Sequence, residues 1–513
     1  MGNDRFSKII TASVNGLDTE LVTVETDLTA GLPAFNLVGL PGSAVRESKE
    51  RVRAAIINSG YEFPLRRITV NLSPADMRKD GSHFDLPIAA GILACTAKGG
   101  CCLPEDGRSA FIGELSLDGT LNKVNFAVAM VLKLQESGVN HIFLPMDNLC
   151  EVEELPNLFF YPAYTFTEIV GHMLGIGKIS PVGGGSRTKR RKANFEDIDD
   201  FFDVKGQESA KRAFVLAAAG AHDICIIGPP GVGKSMLAKR LPGIMPPMDD
   251  EESREVTRIH SIAGSCKDGS GLMAVRPFRA PHHSATCSAI IGGGVRPRPG
   301  ELSLAHKGVL FLDELPEFER RTLDMLRQPL EDRYIDLSRV GFKGRYPCNF
   351  LLVAAMNPCP CGYFGDPSHE CRCNSTQIQK YLSKLSGPLL DRIDIHIKIA
   401  AVAEVDIGSG RVARECMSTK DMRESVLAAR MISKKRNPGG VPNARLQVNG
   451  TGGICSLDEE AEILLKRAYE YYGFSVRVRS KIIKVARTIA DISAEENILA
   501  SHIAEAVSYR GTS

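Results

Sequence analysis

The chain has 513 residues, of which 43% are hydrophobic and 24% are charged, and its formal net charge is +2. These values fit a globular protein of about three domains, and a charge so near zero excludes binding to nucleic acid through overall charge alone. No apolar run reaches the roughly 18 residues of a membrane span, and the N-terminus lacks a signal-peptide core, so we expect a cytoplasmic protein with no membrane partner. In that compartment the 14 cysteines should be thiols or metal ligands rather than disulfides.

Residues 1–175 alternate strand-like runs with helical patterns, which predicts an α/β or α+β domain with its own core. The predicted strands are Ile9–Val14, Glu20–Glu25, Ala34–Leu40, Arg67–Leu72, Ala110–Glu114 and Asn140–Leu144, and the predicted helices are Ser43–Ser59, Phe84–Ala97 and Phe126–Glu136.

Two stretches of this domain, Ile68–Leu93 and Leu115–Pro145, resemble the proteolytic domain of Lon proteases, which has the fold of the second domain of ribosomal protein S5. Lon enzymes place a serine nucleophile shortly after a K-D-G run and a lysine base in a later helix. Here the run Lys79–Gly81 is present, but the two positions fall on His83 and Val128. Because a hydroxyl nucleophile needs a nearby base, we interpret this domain as a retained fold without protease activity.

Residues 176–196 are predicted to be a flexible basic linker. Glycine and serine at 183–186 favour flexibility, and the basic cluster Lys189–Lys192 keeps the segment solvated. The composition favours a linker, although a basic cluster can also contact phosphate.

The second domain, residues 197–400, begins with the most specific motif of the chain. The apolar run Ile224–Ile227 is typical of a buried strand, and the GPPGVGKS that follows it has the spacing of a phosphate-binding loop. The next helical pattern is predicted to stop at Pro242. Glycines let backbone N–H groups surround phosphates, Lys234 would reach the β- and γ-phosphates of ATP, and the Ser235 hydroxyl would hold Mg²⁺. The predicted nucleotide-binding residues are Gly228, Pro229, Pro230, Gly231, Val232, Gly233, Lys234 and Ser235.

A second apolar run, starting at Gly308, ends in Asp313 and Glu314. A buried strand there would deliver both carboxylates beside the phosphates. Asp313 is then expected to hold Mg²⁺, and Glu314 to orient or deprotonate the attacking water.

A third strand, Phe350–Met356, ends at Asn357. In a parallel sheet this amide would lie between the other strand ends and help to position water, although an asparagine before proline is also common in turns. The run Leu389–Ile399 alternates isoleucine with polar residues, which predicts a half-buried strand with Arg392 at its start.

A cysteine-rich loop, residues 359–373, follows Asn357. Two tight pairs of thiols in a turn-rich loop can surround a Zn²⁺ ion tetrahedrally. The C-x-C spacing is tighter than the usual C-x₂-C, so a reduced, metal-free loop is the alternative. The candidate zinc ligands are Cys359, Cys361, Cys371 and Cys373.

The final domain, residues 401–513, has helical patterns. Ser456 with Glu459, and Ser493 with Glu496, are typical of capping boxes that open helices. Between them the segment 475–489 shows the apolar stripe of a helix, with Lys481, Lys484 and Arg487 expected on a solvent-facing side.

These motifs occur in the order found in the magnesium-chelatase-like group of AAA+ ATPases, and the chain most closely resembles its bacterial YifB/ComM family. The segments that carry the resemblance are GPPGVGKS, FRAPHHSATCSAIIGGGVRPRPGELSLAHKGVLFLDEL, AAMNPCPCG and SGPLLDRIDIH. The resemblance implies that Asn357 is the first sensor and that Arg392 is an arginine finger acting on ATP in a neighbouring subunit. It also implies a homo-hexameric ring, with Arg477, or alternatively Arg479, as the second sensor.

The same resemblance places two insertions toward a central channel, at Arg279–Glu301 and Tyr334–Pro347. Cations there could grip a nucleic-acid backbone, although without the family context solvated loop charges would be the better interpretation. The candidate DNA contacts are Arg296, Arg298, Arg339, Lys343 and Arg345.

The expected fold is therefore α/β, with an AAA+ P-loop NTPase core, an N-terminal Lon-like α+β domain and a C-terminal helical lid. The resemblance implies an ATP-driven ring motor, a DNA helicase or translocase that promotes branch migration during recombination of transforming DNA. A magnesium-chelatase ATPase subunit and an ATP-assembled scaffold are the alternatives. The Lon-like domain argues against the first alternative, and the complete Asp313–Glu314 pair argues against the second.

Overall fold

The computed structural model describes residues 6–97, 101–104, 108–183, 198–265, 271–294, 298–339, 342–400, 417–447 and 454–510. The chain divides into two compact units, the first comprising Met1–Lys192, Asp249–Met273 and Arg296–Pro299, and the second comprising the rest. The basic cluster Lys189–Lys192 and the candidate Arg296 lie outside the described residues. Among the helices of the described ranges, none is long and apolar enough to cross a membrane.

The N-terminal segment contains ten strands and five α-helices within its described residues. The strands are β1 Phe6–Asn15, β2 Asp18–Thr29, β3 Ala34–Val38, β4 Arg67–Ser73, β5 Arg108–Phe111, β6 Glu114–Leu115, β7 Leu121–Asn122, β8 Val139–Pro145, β9 Phe159–Ala163 and β10 Val182–Gly183. The helices are α1 Ser43–Asn58, α2 Asp85–Ala94, α3 Ala127–Glu136, α4 Met146–Val152 and α5 Phe166–Met173. The predicted strands and helices correspond to β1–β5, β8 and α1–α3, whereas β6, β7, β9, β10, α4 and α5 were not predicted.

Eight of these strands form one mixed sheet in the order β10-β9-β8-β5-β1-β2-β4-β3. Because side chains alternate along a strand, Ile9 of β1 packs with α1 and α2, whereas Ile10 and Ala12 pack with α3. Helices therefore cover both faces of the sheet.

The residues at the two Lon-type catalytic positions belong to this core. His83 is buried and its ring lies 4.4 Å from that of Phe84, and burial lowers the pKa of His83 to about 4. Val128 is buried in α3. Neither residue therefore offers an exposed nucleophile or base.

A helix from the middle of the chain, α8 Asp250–Ala263, belongs to the first unit. It packs against α3, and Arg258 donates a hydrogen bond over 2.9 Å to the carbonyl oxygen of Leu17. Its N-cap is Asp249, whose side chain accepts from the backbone N–H of Glu252.

The remaining strands are β11 Ile224–Ile227, β12 Phe278–Arg279, β13 Gly292–Gly293, β14 Arg298–Pro299, β15 Val309–Leu312, β16 Tyr334–Arg339, β17 Phe342–Pro347, β18 Leu351–Met356 and β19 Ile395–Lys398. The remaining helices are α6 Glu208–Gly220, α7 Lys234–Ile244, α9 Cys287–Ile291, α10 Glu301–Leu304, α11 Arg320–Met325, α12 Arg327–Asp332, α13 Ser375–Leu382, α14 Gly387–Leu390, α15 Thr419–Arg436, α16 Glu459–Tyr472, α17 Val476–Ile492 and α18 Ala500–Ser508.

The second unit contains a parallel sheet with the strand order β12-β15-β18-β11-β19. The strand β11 lies between β18 and β19. The chain continues from β11 to β12 at one edge of the sheet, and the connection from β18 skips β11 to reach β19 at the other edge, so the strand order reverses beside β11. In sheets of this kind ligands bind outside the carboxyl ends of the strands at such a switch point. The prediction of a parallel α/β core is confirmed.

Three local predictions for this unit are wrong. The helix α7 continues past Pro242 to Ile244, since a proline in the last turn removes only one backbone hydrogen bond. The predicted strand Leu389–Ile399 is shorter, because Gly387-Pro388 opens the helical turn α14 and leaves Arg392 in the turn before β19. The cap of α16 is Asp458 rather than Ser456.

The second proposed capping box is also wrong, because Ser493 ends α17 and α18 begins at Ala500. The basic side of α17 does not face solvent as predicted. Arg487 is fully buried, where it bonds to Asp491 and to the carbonyl oxygens of Glu495 and Glu496. An acidic partner and backbone acceptors make this burial tolerable.

Candidate nucleotide-binding site

The phosphate-binding loop connects β11 to α7. Gly231 and Gly233 adopt positive φ angles of 82° and 87°, which glycine accepts without strain. A methyl group built on Gly228 would lie 2.6 Å from the carbonyl oxygen of Ile399, so the loop passes too close to β19 for a side chain there. The loop therefore requires the glycines that the motif supplies, and α7 begins directly after it at Lys234.

Lys234 is held by three oxygen acceptors. Its amine donates to the carbonyl oxygens of Gly228 and Pro229 over 2.6 and 3.0 Å, and to Asn357 Oδ1 over 2.8 Å. Burial lowers the pKa of Lys234, and the nearby carboxylates of Asp313 and Glu314 oppose this effect. The amine is thus placed between the phosphate loop and the end of β18.

Two oxygen groups suited to magnesium meet at the start of α7. The Ser235 hydroxyl donates to Asp313 Oδ2 over 2.8 Å, and Asp313 Oδ1 accepts the backbone N–H of Glu314 over 3.0 Å. Mg²⁺ prefers hydroxyl, carboxylate and phosphate oxygens. This pair could therefore hold a magnesium ion against a bound triphosphate.

Glu314 follows β15 in a left-handed conformation, with φ of 51°. Such a conformation is costly for a residue other than glycine and is concentrated at functional sites. Its carboxylate Oε2 lies 3.1 Å from His283 Nδ1. Sequence reasoning missed His283, although the paired histidines of the A-P-H-H run were a visible signal.

The predicted arginine finger, Arg392, and the predicted second sensor, Arg477, are bound to one carboxylate. Arg392 Nη2 lies 3.0 Å from Glu331 Oε2, and Arg477 Nη2 lies 3.1 Å from Glu331 Oε1. Glu331 lies in α12, and no motif or spacing in the sequence singles it out. The alternative second sensor, Arg479, is exposed. The structure thus brings Arg392 and Arg477 together and leaves their catalytic roles as predictions.

The four predicted zinc ligands also come together. Their sulfur atoms all lie within 4.8 Å of one another, and we call them the four-cysteine cluster: Cys359, Cys361, Cys371 and Cys373. The backbone N–H of Cys361 donates to Cys373 Sγ over 3.4 Å. A hydrogen bond from the backbone N–H of Tyr363 is the main reason that the pKa of Cys361 falls to about 6; burial opposes this effect and the N–H of Arg372 adds to it. Four thiols at this spacing form a candidate metal site.

The candidate DNA contacts have different surroundings. Strands β16 and β17 form an antiparallel hairpin in which Arg339 is opposite Phe342 and Lys343 is opposite Ser338. Arg345 makes a two-pronged ion pair with Asp336, at 2.9 and 3.3 Å, and its guanidinium lies 3.9 Å from the Tyr334 ring centre. Arg345 is therefore already engaged by the hairpin. Arg298, in the first unit, is exposed.

Three family profiles match successive parts of the chain. The family described as "Magnesium chelatase, subunit ChlI" matches residues 200–407, "Subunit ChlI of Mg-chelatase" matches residues 24–148, and "Magnesium chelatase, subunit ChlI C-terminal" matches residues 416–510. The first match contains the phosphate loop, the Asp313–Glu314 pair and Asn357.

Two bacterial proteins are similar to this chain over nearly its full length, whereas a magnesium-chelatase subunit is similar over less than half of it. Competence protein ComM of Haemophilus influenzae is 41% identical over 497 residues, which cover 96% of this chain and 95% of that protein. The YifB protein of Escherichia coli is 40% identical over 507 residues, which cover 98% and 97%. The magnesium-chelatase 67 kDa subunit of Heliobacterium mobile is 27% identical over 231 residues, which cover only 40% of this chain and 31% of that subunit.

Proposed function

This chain belongs to the ComM/YifB family of magnesium-chelatase-like AAA+ ATPases, and we propose that it is an ATP-driven ring motor that moves DNA. The observation that carries the proposal is a pair of hydrogen bonds at the carboxyl ends of β11, β15 and β18, in which Lys234 donates to Asn357 and Ser235 donates to Asp313. ATP and Mg²⁺ are the cofactors that this family implies.

For hydrolysis, a bound triphosphate would replace the carbonyl partners of Lys234 with its β- and γ-phosphate oxygens. Ser235 and Asp313 would hold a magnesium ion, which would supply positive charge against the phosphates. Glu314, at the end of β15, would orient or deprotonate the attacking water, and Asn357 would fix that water from β18. His283 would hold the Glu314 carboxylate until the water is bound.

Assembly into a homo-hexamer would complete this site. Glu331 holds Arg392 and Arg477 side by side, so we propose that it presents both cations to ATP at a subunit boundary. Arg392 would act on the ATP of the neighbouring subunit, where a guanidinium stabilises the charge of the transition state.

DNA is the proposed cargo, and branch migration during recombination of transforming DNA in the cytoplasm is the proposed process. Competence protein ComM, to which this chain is similar along nearly its full length, supports this assignment. The β16–β17 hairpin supplies Arg339 and Lys343 for contacts with phosphates, and Arg298 offers an exposed cation elsewhere.

A metal-chelatase subunit is the second candidate, and it is favoured by the three family profiles named after ChlI. However, the magnesium-chelatase 67 kDa subunit matches only 40% of this chain. We continue to interpret the N-terminal domain as Lon-like, and its residues 24–148 are the part that matches the profile "Subunit ChlI of Mg-chelatase". A scaffold without ATP turnover would not need Glu314 at the end of β15.

The proposal is tested by strand displacement on forked and four-way DNA. The wild-type protein should separate labelled strands in the presence of ATP and Mg²⁺. The Glu314→Gln variant should bind the same DNA without separating it. Stimulation by a porphyrin, with no strand displacement on any DNA, would favour the chelatase instead.

A further inference from the structure

We propose that the four-cysteine cluster binds one Zn²⁺ ion and that this ion fixes Asn357 against the phosphate-binding loop. The first part stands on the sulfur geometry alone. The second part rests on the proposed ATPase, because it assigns the ion a positioning role in nucleotide hydrolysis.

The spacing of the sulfurs matches a single tetrahedral ion. Zinc–sulfur bonds of about 2.3 Å place the four sulfurs of a regular tetrahedron about 3.8 Å apart. In the cluster, Cys359 Sγ lies 3.3 Å from Cys361 Sγ and 3.7 Å from Cys371 Sγ, and Cys361 Sγ lies 3.6 Å from Cys371 Sγ. Each sulfur of this trio is therefore nearly equidistant from the other two, as ligands of one ion are.

This geometry argues against other uses of four thiols. A disulfide would draw two sulfurs to about 2.05 Å and leave the other two apart, whereas these cysteines are free. An iron–sulfur cluster would place several irons between the thiolates and hold them farther apart than 4.8 Å. A mononuclear ion with four thiolates remains, and zinc is the metal most often bound by such a set.

The N-terminal end of the cluster is joined directly to the nucleotide site. Cys359 is fully buried and lies two residues after Asn357, whose side chain accepts the Lys234 hydrogen bond. Gly362 has a φ of 90°, and a methyl group built on it would lie 2.6 Å from Pro230 Cδ. The backbone of the cysteine loop therefore packs directly on the phosphate loop.

The chain that follows the C-terminal end of the four-cysteine cluster packs back toward Asn357. Directly after Cys373, Asn374 forms a capping box with Gln377 and opens α13. Near the end of α13, Tyr381 is buried, and the backbone N–H of Asn357 is close enough to its phenol oxygen to lower the Tyr381 pKa against the larger effect of burial. Burial raises the pKa of Tyr381 to about 12, so the hydroxyl keeps its proton. Asn357 is thus held from the loop on one side and from α13 on the other.

A Zn²⁺ ion bound to all four cysteines would restrain the cysteine loop and α13 together, and these are the two segments that hold Asn357. Without it, Asn357 would depend on the short turn that ends β18, and Gly362 would be free to leave Pro230. The phosphate loop and the sensor would then lose their fixed separation, which ATP hydrolysis requires. Asn357 and Lys234 contact the nucleotide in this scheme, and the zinc ligands are positioning residues.

The first experiment measures metal in purified full-length protein by elemental analysis. We expect about one zinc per chain and less than a tenth of that in a Cys371→Ser, Cys373→Ser double variant. A matched Cys102→Ser, Cys150→Ser variant changes two exposed thiols outside the cluster and should keep its zinc. Cobalt-substituted protein should show the visible absorption of a tetrahedral tetrathiolate. Protein without metal, or with iron instead of zinc, overturns the site.

The second experiment compares amide hydrogen exchange in zinc-loaded wild-type protein and in protein from zinc-depleted culture, which avoids any substitution that could impair folding. Removing zinc should speed exchange at least about tenfold in peptides covering 228–235 and 351–362, and leave β1 and β2 unchanged. Unchanged protection of both site peptides overturns the positioning role.

ATP turnover separates this inference from the proposed function. Zinc removal should lower kcat at least about tenfold while changing KM less than about threefold, because Lys234 and the loop glycines still contact the phosphates. Zinc-loaded protein that fails to hydrolyse ATP, yet shows the predicted exchange difference, contradicts the proposed ATPase and supports the zinc site. Full turnover without zinc contradicts the positioning role alone.

Discussion

The Lys234 amine donates a hydrogen bond to the Asn357 side chain over 2.8 Å, and this bond joins the phosphate loop to the end of a neighbouring strand. The two residues lie 123 positions apart in sequence and meet because β11 and β18 are adjacent and parallel. Nucleotide binding at Lys234 is therefore connected directly to the residue proposed to position the attacking water.

The Lys234→Ala substitution should abolish measurable ATP binding. Truncating one partner of a buried charged hydrogen bond costs about 2–5 kcal/mol, which is a loss of affinity of at least about 30-fold. Fluorescence titration with a labelled ATP analogue measures the change. The Lys239→Ala substitution is the matched control, since Lys239 is an exposed lysine on the same helix and should leave affinity unchanged. Equal affinity of wild type and Lys234→Ala would refute the phosphate-loop assignment.

Mixing two inactive variants tests whether Arg392 acts across a subunit boundary. Glu314→Gln and Arg392→Ala should each lower ATP turnover at least about 100-fold, the usual effect of removing a general base or an arginine finger. A mixed ring pairs an intact Glu314 in one subunit with an intact Arg392 in the next, so partial activity should return. Activity of mixed rings that never exceeds the sum of the separate variants would place Arg392 within its own subunit.

Glu331 should matter for turnover although it does not contact ATP. Its carboxylate pairs with both Arg392 and Arg477, and a solvent-exposed ion pair contributes up to about 1 kcal/mol. Loss of both pairs in Glu331→Gln should therefore lower kcat by up to roughly tenfold with little change in ATP affinity. Glu462→Gln, an exposed change in α16, is the control. Normal kcat in Glu331→Gln would show that the two arginines need no shared anchor.

Acid should destabilise the first unit through His83. Burial lowers the His83 pKa from 6.5 to about 4, so as the pH falls through this window only the unfolded chain binds the proton. The free energy of unfolding therefore keeps its full value above pH 6.5 and decreases as the pH falls toward 4. At pH 5 the decrease is about 2 kcal/mol. Hydrogen exchange of β1 and β2 at pH 7 and pH 5 measures the unfolding free energy. The loss should shrink in His83→Gln and persist in His282→Gln, an exposed control; equal losses in both contradict the assignment.

The phosphate loop, Asp313, Glu314 and Asn357 could be predicted because each follows a buried strand, and parallel strands deliver their carboxyl ends to one edge. Glu331 and His283 could not be predicted in this way. Glu331 lies on a short helix among other charged residues, and only folding shows that Arg392 and Arg477 converge on it.

The basic residues of α17 show a second limit of prediction from sequence. A lysine or arginine on one side of an amphipathic stripe usually faces solvent. Arg487 is buried because Asp491, one turn later, and two carbonyl oxygens beyond the helix satisfy it. Periodicity identifies the helix, but the acceptors that make a charge tolerable in the core are set by tertiary structure.

The most direct test of the DNA motor is ATP turnover and fork unwinding measured with and without DNA over a range of salt concentrations. Wild-type protein should be stimulated by forked and four-way DNA, with binding that weakens steeply as salt rises and varies little with sequence. An Arg339→Ala, Lys343→Ala variant should keep basal turnover, lose stimulation and unwinding, and reduce the salt slope by about two units, one for each lost phosphate contact. DNA that neither binds nor stimulates hydrolysis in the wild-type protein would contradict the account.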